Sequence, residues 1–105
     1  MKRYEFLEHV SDAYVAAYGK TLEEAFQNAA EAMFETMIET SKVALTLEEV
    51  VKVEGHDREE LLYNWLEALL LKFEIEAKVY RKFEIENIKE RDGGFVLKAI
   101  IRGEP

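Results

Sequence analysis

Tyr4-Glu5-Phe6-Leu7-Glu8-His9-Val10-Ser11-Asp12-Ala13, running on to Thr21-Leu22-Glu23-Glu24-Ala25-Phe26, is the stretch around which the chain organises. Tyr4 to Leu7 begins with aromatic and polar residues alternating, and Ala13 to Tyr18 is a short run of small and aromatic residues stopped by Gly19, so both read as strands. They pair as neighbours across the polar break Glu8 to Asp12. Thr21 then opens a helix as its N-cap with Glu24 three residues on, a spacing that lets hydroxyl and carboxylate satisfy two otherwise free backbone N–H groups. Loss of that threonine is expected to cost about 1 kcal/mol.

Outward from this stretch the periodicity sets the remaining elements. Leu22, Ala25, Phe26, Ala29, Ala30, Met33, Phe34, Met37 and Ile38 follow the three-and-four spacing of one buried helix face, while Glu23, Gln27, Glu31 and Glu35 fall on the other. Met33 and Met37 read as core filling. From Val43 through Val53 the apolar residues turn toward period two, which predicts a strand. Asp57 and Glu60 stand at cap spacing ahead of Leu61, Leu62, Trp65, Leu66, Leu69, Leu70 and Phe73, the most strongly apolar helix, which is expected to lie on a sheet with Trp65 buried beneath it. Lys78 to Lys89 alternates again, turns at Asp92-Gly93-Gly94 and returns through Phe95 to Arg102 as a hairpin. The predicted class is α+β: a two-layer sandwich of order β-β-α-β-α-β-β, with two helices packed on one face of a mostly antiparallel sheet.

With 105 residues, 49% of them apolar, the chain predicts one domain with a core of its own. A net charge of -8 argues against tight unaided binding to nucleic acid, because phosphate contacts need Lys and Arg to displace counterions. No window offers the eighteen or so unbroken apolar residues of a membrane span, and Met1-Lys2-Arg3-Tyr4-Glu5 carries no apolar signal region, so the expected location is the cytoplasm. Cysteine is absent, which removes disulfides, thiolate nucleophiles and zinc-thiolate sites together. A charged content of 34%, rich in Glu and Lys and nearly free of Gln, leans toward a heat-adapted source. Because Phe95, Leu97, Ala99 and Ile101 look core-facing and the sequence stops at Gly103-Glu104-Pro105, the domain is expected to be incomplete at its C-terminus.

Chemistry concentrates in one place. Glu8, His9 and Asp12 offer carboxylates and an imidazole within one short turn, a set suited to a hard metal or a general base. The same residues also suit a plain turn, with Asp12 bonding nearby backbone, His9 making one structural bond and Glu8 solvated. Ser11 beside them has the residue type of a triad nucleophile but lies too close in sequence to reach triad geometry. His56, next to a helix cap, is assigned no role. Glu48-Glu49 and Glu59-Glu60 read as solvated faces and first-turn charges. Trp65 lacks the interleaved cations of a base-stacking platform, and Asp92-Gly93-Gly94 lacks the spacing and lysine of a phosphate cradle.

Taken in order, Tyr4 to His9 with Asp12, Tyr18 to Phe26 with Ala29-Ala30 and Ala32-Met33-Phe34, and Leu61-Leu62-Tyr63 with Trp65-Leu66 and Leu69-Leu70 resemble the archeases, small proteins that activate the RtcB-type RNA ligase in tRNA splicing. The resemblance implies an accessory protein and not an enzyme: it promotes guanylylation of the ligase, lets it turn over repeatedly and broadens its nucleotide use. It also implies a site for calcium or another divalent ion, with Asp12 as the N-terminal ligand. The acidic charge suits such a role, since a ligase that grips RNA needs a basic groove and would attract a negative partner.

Two departures from the family stand out. Where archeases usually carry His-Thr-Ala-Asp, this chain has His9-Val10-Ser11-Asp12, which moves the hydroxyl by one position and so to the other side of an extended chain. Archeases also continue past the equivalent of Gly103-Glu104 into a Lys-Ala-x-Thr-Tyr-His stretch and acidic residues that complete the metal site. The expectation is therefore an activator of an RNA ligase whose metal site is incomplete in this chain. The alternatives are a small metal-dependent hydrolase using Asp12 and His9, or a metal-free protein-binding module.

Overall fold

The computed structural model describes residues 4–6, 15–17 and 21–105. Its elements are β1 (Tyr4–Phe6), β2 (Val15–Ala17), α1 (Leu22–Met37), a 3-10 turn (Thr40–Lys42), β3 (Leu47–Gly55), α2 (Arg58–Glu76), β4 (Val79–Arg91) and β5 (Gly94–Glu104). The expected order β-β-α-β-α-β-β stands. β1 and β2 pair antiparallel with Phe6 opposite Val15, and β3, β5 and β4 form a second antiparallel sheet in that order, with β5 central.

Both helices begin where their caps predict. The Thr21 hydroxyl accepts the Glu24 N–H at 3.1 Å, and an Asp57 carboxylate oxygen accepts the Glu60 N–H at 2.8 Å. α2 ends at Ala77, which adopts the left-handed conformation at φ 56°, and the N–H of Lys78 returns to the Lys72 carbonyl at 3.2 Å. The final hairpin closes on Asp92 and Gly93, both at positive φ, between the paired Arg91 and Gly94.

One core joins the helices to the sheet. Phe26, Ala30, Met33 and Phe34 of α1 and Leu61, Trp65 and Leu69 of α2 meet Val51, Tyr80, Phe83, Ile85, Leu97, Ala99 and Ile101 of the sheet. Trp65 is fully buried, as expected, with its ring edge-on to Phe83. The aromatic rings of Phe34, Phe73, Tyr80 and Phe83 continue the layer, with Phe34 touching each of the other three. Asn28 and Ala32 are buried as well, so α1 is covered over more of its circumference than one apolar stripe, and it packs on both β4 and the β1–β2 hairpin.

The structure corrects the expected start of β3 and the expected exposure of Gln27. β3 starts at Leu47 and not at Val43: Val43 closes the 3-10 turn through its N–H to the Thr40 carbonyl, and Leu45 is exposed. The register that sets Leu47 against Gly103 would set Leu45 against Pro105, which has no N–H for the ladder. Gln27, expected on the solvent face of α1, instead accepts the backbone N–H of Ile85 at 2.8 Å, beside the irregularity where Glu86 drops out of the β4–β5 register.

Candidate functional site

Glu8, His9 and Asp12, the sequence-predicted site, lie outside the described residues. What the structure fixes is the hairpin on either side of them, with Phe6 and Val15 paired and α1 packed against β2. Among the described residues no three His, Asp or Glu side chains converge where they could hold a metal ion. The metal reading rests on Asp12, which lies outside the described residues.

A polar cluster that the sequence did not reveal sits where β3, the end of α2 and the start of β4 meet. Glu49, expected to be solvated, keeps only 18% of its side-chain exposure. One carboxylate oxygen accepts from Lys78 Nζ at 2.7 Å; the other accepts from the Tyr80 hydroxyl at 2.5 Å and faces Lys72 Nζ at 3.1 Å. Glu76 completes the group at 2.9 Å from Lys78. The left-handed turn at Ala77 is what brings Lys78 back toward Glu49. Burial alone would raise the Glu49 carboxyl, but the hydrogen bonds from Lys78, Tyr80 and Lys72 and the Lys72 charge outweigh it and hold the group at about 2. Burial first, and then the bond to the Glu49 carboxylate, push the Tyr80 phenol upward. A carboxylate so fully engaged is a poor general base and a phenol so shifted a poor acid, so this cluster fastens three elements together.

At the opposite end of α2 an open cavity of about 430 Å³ is lined by Gly55, His56, Glu60, Arg91 and Phe95, among others. Two of its polar side chains, His56 and Glu60, engage each other. Glu60 accepts the His56 backbone N–H at 2.9 Å and lies 3.0 Å from the ring Nδ1, which raises the imidazole pKa and lowers that of the carboxyl. Asp57 caps the helix by accepting the Glu60 N–H.

The remaining feature is charge. α1 carries Glu23, Glu24, Glu31 and Glu35 and no Lys or Arg. α2 carries five glutamates against Arg58 and Lys72. The helix layer, among the described residues, is thus strongly acidic. Among the described residues no helix is long and apolar enough to cross a membrane.

This fold, with its capped helices and acidic helix layer, can be set beside known proteins. The sequence pattern of the archease protein family matches residues 4–105. The chain belongs to the archease family. An archease of Methanosarcina mazei is 46% identical over 103 residues, spanning 98% of this chain and 70% of that protein. One of Pyrococcus abyssi is 44% identical over 104 residues, spanning 99% and 72%. The solution structure of Methanobacterium thermoautotrophicum protein 1598 superposes with a TM-score of 0.82 at 40% identity, covering all of this chain and 74% of that one. The α+β archease architecture read from the sequence is therefore the observed one.

Proposed function

We propose that this archease-family chain is an accessory protein that activates an RtcB-type RNA ligase in tRNA splicing, promoting guanylylation of the ligase and its repeated turnover. The observation that carries the reading is family membership over residues 4–105. The acidic helix layer supports it, since a ligase that handles RNA presents Lys and Arg to phosphates and attracts a negative protein surface. In the same reading Asp12 supplies a carboxylate to calcium or another divalent ion. Calcium takes roughly six to eight oxygens, so one carboxylate with water and backbone carbonyls holds it weakly. The test is ligase guanylylation with GTP and a divalent metal, measured with and without this protein; an activator raises the rate and does nothing alone.

A further inference from the structure

α2 has two apolar sides, and the core uses only one. Leu61, Trp65 and Leu69 are fully buried against the sheet. Away from them Tyr63, Leu71 and Ile75 remain 65%, 46% and 75% exposed. At 3.6 residues per turn these three share an arc of about 160° with Glu59, Glu67 and Glu74. No Lys or Arg of the helix contributes to that arc: Arg58 lies over the Phe95 ring at 6.0 Å, and Lys72 is drawn into the Glu49 cluster at 3.1 Å. Large apolar side chains set among carboxylates, with both helix cations diverted elsewhere, mark a surface for a partner that is apolar and basic.

We propose that this flank of α2 is where the chain docks on its partner, seated on an apolar patch bordered by Lys and Arg on the ligase; this rests on the activator reading above. An RNA-joining enzyme must carry such cations to neutralise phosphates, and the same carboxylates repel RNA itself, so the contact is between proteins. The apolar residues supply the buried area and the glutamates steer the encounter.

Two variants test it, Leu71→Ser/Ile75→Ser and Glu67→Lys/Glu74→Lys, all at exposed positions. Affinity for a purified RtcB-type ligase is measured by calorimetry at low and high salt, alongside guanylylation rates and sedimentation of each protein alone. The expected result is that both variants melt like the parent and bind about tenfold more weakly or worse, the charge-reversed one also losing most of its salt dependence. If the parent binds and stimulates the ligase and both variants match it, the docking surface is wrong while the activator reading stands. If ligase binding is unchanged but the serine variant splits a dimer of this chain, the face joins two copies and the proposal fails. A parent that neither binds nor stimulates the ligase overturns both readings.

Discussion

The indole N–H of Trp65 on α2 donates to the backbone carbonyl of Phe26 on α1 at 3.0 Å, a buried bond that ties the two helices together beneath the sheet. Packing and polarity meet in that one side chain. Trp65→Ala removes both and is expected to destabilise the protein by roughly 3 to 5 kcal/mol, whereas Trp65→Phe keeps most of the ring volume and should lose about 1 to 2 kcal/mol. Urea unfolding of the three proteins checks the order; a Trp65→Ala protein that unfolds at the parental midpoint contradicts the packing described.

Stability should fall in acid because of Glu49. Its carboxyl titrates at about 2 in the folded protein against an ordinary 4.5, so its contribution is complete above the unfolded value and is lost as the pH drops through the folded one. Water reaches the rim of the cluster and screens it, which leaves about 1 to 2 kcal/mol at stake between pH 4.5 and 2. Urea midpoints measured from pH 7 downward should be flat and then decline in that window, and Glu49→Gln should start lower and flatten the decline. An unchanged acid limb in Glu49→Gln would show that other carboxylates govern it.

Ala77 holds a left-handed backbone that costs a residue with a Cβ about 1 kcal/mol. Ala77→Gly is accordingly expected to raise stability by about 0.5 to 1 kcal/mol in the same assay, while Ala77→Val, β-branched at positive φ, should lower it. Opposite signs for the pair distinguish this from a general effect of side-chain size.

Gln27 offers a fourth check at the β4 irregularity. Gln27→Ala leaves the part-buried Ile85 N–H without its acceptor and should cost about 1 to 2 kcal/mol, whereas Gln27→Glu, which keeps an oxygen in place, should cost less. Hydrogen exchange at Ile85 is the local readout, faster in the alanine variant and near parental in the glutamate one.

Much of the scaffold was legible because it is local. Thr21 with Glu24 and Asp57 with Glu60 announce helix starts within four residues, Asp92-Gly93 announces its turn, and the spacing of Leu61, Trp65 and Leu69 marks a buried stripe. What escaped the reading is long-range. Glu49 looked like half of an exposed acidic pair, since nothing near it discloses Lys78, 29 residues away, or Tyr80, 31 away. Gln27 meets its partner across 58 residues, at an irregularity no propensity marks. The start of β3 depended on which residue of β5 lay opposite. Of the candidate site, the residue types Glu8, His9 and Asp12 could be read, but their geometry lies outside the described residues.

The central claim is activation of a ligase, and a single assay addresses it: incorporation of guanylate into an RtcB-type ligase over many turnovers, with GTP and calcium or manganese, in the presence and absence of this protein. The account predicts that the protein alone consumes no nucleotide or RNA and that adding it at substoichiometric amounts raises the guanylylation rate and the number of ligation cycles. Carried out also with Asp12→Ala, the assay should show that stimulation lost, with calorimetry showing calcium bound more weakly than by the parent. No stimulation by the parent protein, or turnover of substrate by the protein alone, would contradict the account.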